Sequence, residues 1–124
     1  MSTRQTQMAQ SQGITTHILD TARGRPAAAI PVVLERRDDT GEWMTVGRGE
    51  TDRDGRLRSL YPDGTSLLPA VYRLTFQTRR YFDSLGVTAF YPEVVVVFET
   101  AAGETHYHVP LLIGPFGFTT YRGT

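Results

Sequence analysis

Cysteine is absent from all 124 residues, which excludes disulfides, thiolate nucleophiles and Cys-ligated zinc together. A charge surplus is also missing. Thirteen basic residues balance thirteen acidic ones, so the sequence lacks the basic excess that a nucleic-acid or acidic-membrane partner would call for. Nor is there an apolar run near the roughly 20 residues of a membrane-spanning helix. The most strongly apolar stretch, Val94 to Phe98, is bracketed by Glu93 and Glu99. Finally, Met1–Gly13 has no apolar centre and is rich in Gln, Ser and Thr. It does not read as a secretory signal, and the expectation is a disordered cytoplasmic tail over 1–13 followed by one domain over 14–124.

What is present is an ordinary globular composition, 40% hydrophobic and 21% charged, in a chain of single-domain length. Its pattern is that of short strands. Ile14–Asp20 is β-branched and alternates, with Thr16 and Ile18 expected inward and Thr15, His17 and Leu19 outward. Further strands are expected over Ala29–Arg36, Trp43–Gly49 (with Trp43 in the core), from Arg56, over Ala70–Gln77 and over Glu93–Glu99. The four consecutive valines of the last imply burial on both faces or an interface on one. Tyr81, Phe82 and Leu85 fall at helical spacing and Gly86 supplies a stop, so Thr78–Gly86 predicts one or two helical turns. About eight short strands and one small helix predict an all-β, two-sheet sandwich.

The last twenty residues are the densest in chemistry. His106 and His108 lie two apart and share a strand face, while Tyr107 and Val109 point the other way. Pro110 lacks a ladder donor and predicts an edge strand or a bulge. Gly114–Gly117 reads as a turn, and Phe118–Tyr121 as the returning strand.

All three histidines thus fall in the first strand and the last strand pair. Imidazole passes protons near neutral pH, and the planar fork of Arg56 suits a carbonyl or carboxylate. The stretch Glu50–Arg56 also resembles half of a calcium loop. Tyr61 stands where a twelve-residue loop needs its last carboxylate, so a tight turn at Asp54-Gly55 that projects Arg56 is the better reading. Two same-face histidines with His17 as a third ligand could hold zinc, although no carboxylate completes that set. A lone strand histidine is more often packed or merely solvated, and spacing alone goes no further than a sandwich with a His/Arg site.

Four collinear motifs add to this. They are Thr16-His17-Ile18-Leu19-Asp20-Thr21 with Gly24 and Pro26-Ala27; Thr51 with Asp54-Gly55-Arg56; Tyr91-Pro92-Glu93; and His106-Tyr107-His108-Val109-Pro110-Leu111-Leu112 running to Tyr121-Arg122-Gly123-Thr124. From Ile14 to Thr124 the sequence resembles the transthyretin-related 5-hydroxyisourate hydrolases. The resemblance implies a transthyretin-like sandwich that assembles as a homotetramer, a dimer of dimers, with sites in a channel where the dimers meet. It implies ring-opening of 5-hydroxyisourate to 2-oxo-4-hydroxy-4-carboxy-5-ureidoimidazoline in urate breakdown, with no cofactor and no metal. Carried over by matching position, the catalytic residues are His17, Arg56 and His108, and these three with Tyr121 and Thr124 bind substrate. The family usually closes on Tyr-Arg-Gly-Ser; Thr124 keeps the hydroxyl and adds a methyl. The rival from another class is hormone carriage, since transthyretin itself shares the architecture but lacks the motif histidines, the turn arginine and the Tyr-Arg-Gly ending.

Overall fold

Alternation along the strands builds two sheets that share one core. The computed structural model describes residues 13–124; of the expected tail, Met1–Gln12 lie outside the described residues. Gly13, assigned by sequence to that tail, instead opens β1 and donates its N–H to the Thr105 carbonyl at 2.7 Å. The strands in order are β1 (Gly13–Asp20), β2 (Arg25–Pro26), β3 (Pro31–Arg37), β4 (Trp43–Glu50), β5 (Arg56–Leu57), β6 (Val71–Phe76), β7 (Val94–Glu99), β8 (His106–Gly114) and β9 (Gly117–Thr120). One helix, α1 (Thr78–Ser84), lies between β6 and β7.

The first sheet runs β2-β1-β8-β9, with β5 pairing the same edge of β1 as β2; the second runs β4-β3-β6-β7. The core lies between them. Ile14 and Ile18 of β1 and Tyr107, Val109, Leu111 and Ile113 of β8 meet Val32, Leu34, Tyr72, Leu74, Phe76 and Val94 of the second sheet. The helix closes one end: Thr78, Tyr81 and Phe82 face inward, and the Tyr81 hydroxyl donates to the buried Asp20 carboxylate at 2.7 Å.

Two further sequence expectations are corrected, and one of the two readings of the valine run is excluded. Trp43 is not a core residue; it is half-buried on the outer face of the second sheet, with the Arg73 guanidinium 4.3 Å and the Arg37 guanidinium 5.8 Å from its ring centroid. Cation–π contact, worth about 0.5–1 kcal/mol at an exposed site, favours the indole on this surface. The valine run is not buried on both faces: Val94 and Val96 point in, while Val95 and Val97 are 44% and 55% exposed on an edge strand. Pro110 sits in neither an edge strand nor a bulge. It lies within the central β8, opposite His17 of β1. In a strand the N–H and C=O of one residue point the same way, and the Pro110 carbonyl accepts from the Thr120 hydroxyl. Its nitrogen therefore faces the gap where the β9 ladder ends at Thr120 and pairing resumes only at Gly123. No donor is needed there.

One buried hydroxyl fixes the crossover between the sheets. Thr51 Oγ1 donates to the Ala27 carbonyl at 2.8 Å and accepts the Ile30 N–H at 3.0 Å. The Thr51 backbone bonds Ala29 and Ile30 as well, and this holds Ala29 at φ 62°. Thr51→Val keeps the shape but strands a buried N–H and a buried carbonyl. The expected cost is about 2–4 kcal/mol from two such groups, read as a lower denaturant midpoint at unchanged m-value.

Candidate active site on the outer face of the first sheet

The site is assembled by register. β1 and β8 run parallel with Thr15 opposite His108 and His17 opposite Pro110, while β5 sets Arg56 opposite His17 on the other edge. Neighbours in register share a face. Three strands far apart in sequence thus bring His17, Arg56 and His108 to the outer face of one sheet.

Local chemistry places Arg56. The Asp52 carboxylate accepts the backbone N–H groups of Asp54 and Arg56 at 2.8 and 2.9 Å, and Gly55 bonds back to the Asp52 carbonyl at φ +77°. A Cβ on Gly55 would lie 2.4 Å from the Ile18 carbonyl, so the turn needs glycine for space as well as for conformation. These bonds hold the Asp52 carboxyl below its ordinary value, the Arg56 N–H chief among them. The stretch that resembles half a calcium loop is a turn that uses its own carboxylate internally. Its reward is a fixed start for β5.

His17 Nε2 lies 2.9 Å from the Asp54 carbonyl. A carbonyl only accepts, so this nitrogen carries the proton and Nδ1 is the free acceptor of the neutral ring. Among the described residues no three His, Cys, Asp or Glu converge as a metal-ligand set.

Sequence reasoning passed over Thr15 as a site residue, although it set the residue on the His17 face. Its Oγ1 lies 2.8 Å from His108 Nδ1 and 3.1 Å from His106 Nε2. The two rings stand 6.5 Å apart and 22° from parallel. The signal was available: a β-branched hydroxyl two residues before an outward histidine, and two outward histidines two apart. What was missing is the register that puts one under the other. Burial pushes both His106 and His108 below the ordinary 6.5, and His108 is lowered further by the charges of His106, His17, Arg56 and Arg58.

The C-terminal residues divide. Gly123 donates its N–H to the His108 carbonyl at 2.8 Å, and a Cβ there would lie 2.8 Å from His108 Cδ2 and 3.2 Å from Pro110 Cγ. Glycine lets the chain close over the imidazole, and Thr124, the next residue, is exposed. Tyr121 is not brought to the histidines within one chain. It is 55% exposed and lines a separate cleft of about 410 Å³ with Val97, Tyr107, Val109 and Arg122, between the free edges of the two sheets.

Comparison with known proteins agrees with this architecture. Residues 14–123 match the model of the HIUase/Transthyretin family. The chain belongs to that family. The 5-hydroxyisourate hydrolase of Salmonella typhi is 42% identical over 116 residues, covering 94% of this chain and 84% of that protein. The structure of Klebsiella pneumoniae 5-hydroxyisourate hydrolase superposes with a TM-score of 0.77 at 32% identity, over 90% of this chain and 97% of that one. Sea bream transthyretin in complex with thyroxine superposes with a TM-score of 0.81 at 30% identity, over 89% and 93%. Backbone similarity does not separate the two functions.

The depressed histidines give a stability prediction. Unfolded, each titrates near 6.5; folded, each titrates lower. Between those values the unfolded chain binds more protons, so stability falls as pH drops below about 6.5 and is fully present above it. Melting temperature should decline between pH 7.5 and 5, and His108→Gln should decline less steeply. Equal slopes for the two proteins would contradict the assignment.

Proposed function

We propose that this protein hydrolyses 5-hydroxyisourate, opening the six-membered ring to 2-oxo-4-hydroxy-4-carboxy-5-ureidoimidazoline in the breakdown of urate. The observation that carries the reading is the convergence of His17, Arg56 and His108 on one sheet face from three strands. It is supported by hydrolase relatives about 42% identical over nearly the full chain.

The chemistry fits the residues. The substrate is a flat ring edged with carbonyl and N–H groups. Arg56 donates a planar fork to that edge and polarises the carbonyl under attack. His17 offers Nδ1 as an acceptor, because its Nε2 proton is occupied by the turn. Desolvation keeps His108 neutral at pH 7 and therefore able to take a proton from water. Water addition forms a carbon–oxygen bond and ring opening breaks a carbon–nitrogen bond with no change of oxidation state, so the proposed reaction needs no electron or group carrier.

The proposal includes a cytoplasmic homotetramer, a dimer of dimers, in which Tyr121 and Thr124 complete the substrate pocket. Supporting it are the outward Val95 and Val97 on a free sheet edge and the exposed aromatic row of Phe90, Tyr91 and Phe118, whose successive centroids are 4.9 and 5.3 Å apart. Apolar area of this kind on a small chain marks an interface.

The direct test is ultraviolet absorbance of freshly generated 5-hydroxyisourate, whose spontaneous decay the protein should accelerate. His17→Ala, Arg56→Ala and His108→Ala should each cost about 10²–10⁴ in rate while the fold survives. Near wild-type turnover in all three would sink the proposal. Gly123→Ala is a sharper probe, since its methyl must displace a ring held from the other side by Thr15. A loss of roughly 10²-fold in kcat is expected with the melting temperature nearly unchanged.

A further inference from the structure

Thr15 is only 5% exposed, yet it lies on the outer face of β1. Its hydroxyl has two partners, His108 Nδ1 and His106 Nε2. A hydroxyl carries one proton and can donate to only one of two ring nitrogens, so the other ring must bring a proton of its own. Two arrangements satisfy this. In one, His108 Nδ1–H donates to Oγ1, Oγ1–H donates to His106 Nε2, and His108 Nε2 is a bare lone pair. In the other, His106 Nε2–H donates to Oγ1, Oγ1–H donates to His108 Nδ1, and His108 carries its proton on Nε2. Neither His108 Nε2 nor His106 Nδ1 has a hydrogen-bond partner among the described residues. No buried side-chain nitrogen or oxygen there lacks one, so solvent reaches both ends of the chain of bonds.

We propose that Thr15 is a positioning residue that joins His108 and His106 into a proton relay serving both proton transfers of the hydrolysis. This rests on the ring-opening reaction proposed above. In the first transfer the oxygen of water bonds to the ring carbonyl carbon and its proton goes to His108 Nε2. The Nδ1 proton passes to Oγ1, and the Oγ1 proton to His106 Nε2. His106, already protonated on Nδ1, becomes an imidazolium that balances the negative charge on the tetrahedral oxygen. In the second transfer the carbonyl re-forms and the carbon–nitrogen bond breaks, its electron pair going to the leaving ring nitrogen. That nitrogen takes the His108 Nε2 proton, and each proton of the relay steps back. The starting arrangement returns, ready for another substrate.

Electrostatics favours sending the charge outward. His108 faces His106 on its own strand, His17 from β1, Arg56 from β5 and Arg58 just beyond it, all cationic or able to become so. His106 pairs with Gly13, two steps along β8 beyond the His108–Thr15 pair and further from the His17–Arg56 pair, and burial is the chief cause of its lowering. A proton shared through Thr15 spares His108 from holding a full charge among those neighbours.

Thr15→Val keeps the shape and removes the hydroxyl, and Thr15→Ser keeps the hydroxyl. Valine should lower kcat about 10²-fold with KM little changed, and serine should restore it. His106→Gln should cost a similar factor, and the Thr15→Val/His106→Gln double variant no more than either alone. The rate in mixed light and heavy water should curve with deuterium content in the wild type, as several protons move together, and become linear in Thr15→Val. Unchanged kcat in Thr15→Val, failure of serine to rescue, or additive losses would each overturn the relay. Nitrogen-15 spectra of the imidazoles separate this idea from the assigned reaction. The linkage predicts that His106 and His108 tautomers titrate together in the wild type and independently in Thr15→Val, whether or not 5-hydroxyisourate is turned over. Independent titration in the wild type would refute it.

Discussion

The parallel ladder between β1 and β8 is the constraint on which the rest depends. It pairs eight residues of one strand with eight of the other, from Gly13 with His106 to Asp20 with Ile113. Shifted by one residue, the ladder would turn Tyr107, Val109 and Leu111 to water and the imidazoles into the core. The core therefore enforces the site. Ile14 and Ile18 meet Tyr107, Val109 and Leu111 on one face, and the same register brings Thr15 against His108 on the other. Apolar burial of several side chains, each worth about 1.5–3 kcal/mol, holds a geometry that the polar face alone could not define.

The second edge of β1 obeys a different logic. There the pairing is short, two residues each with β2 and β5, too little to fix anything by ladder bonds. Placement of Arg56 falls to side-chain bonds within the turn, Asp52 to the N–H groups of Asp54 and Arg56, and to the Thr51 crossover behind it. The arginine is thus presented by a locally self-sufficient loop. His17 bridges the two regimes: its backbone belongs to the β1–β8 ladder and its ring is bonded to the turn at Asp54.

Much of this was legible in the residues. Alternation in Ile14–Asp20 and His106–Val109 correctly divided inward from outward positions, and the helical spacing of Tyr81 and Phe82 marked α1. The Asp54-Gly55 turn was readable because its residue types leave few alternatives. Pairing was not readable. Pro110 looked like an edge residue because donor loss is visible in sequence, whereas the departure of β9 at Thr120 is not. Trp43 looked like core because its area is apolar, but an arginine from β3 and another from β6 cover it outside. Thr15 escaped notice as a site residue for the same reason: its partners lie 91 and 93 residues away, and threonine on a strand carries no functional mark of its own. The similarity of motif supplied His17, Arg56 and His108, but not the hydroxyl that connects the last of them to His106.

The division of labour between the faces also explains why backbone similarity is silent about function here. A transthyretin and a hydrolase superpose on this chain almost equally, with TM-scores of 0.81 and 0.77, because both comparisons measure what the inward residues determine. The outward face is free to vary as long as it leaves the ladder intact. One position on it is less free. Thr15 is a polar group held nearly out of water, a situation tolerated only when its hydrogen bonds are met. Its two partners are imidazoles, so the choice of threonine at this point commits the face to hydrogen-bonding rings above it. Apolar side chains in their place would leave a buried hydroxyl unpaired, at about 1–3 kcal/mol. Thr15, His106 and His108 therefore form a unit that has to be kept or replaced together, and that dependence is written into the outer face of a sheet whose inner face says only that it is a sandwich.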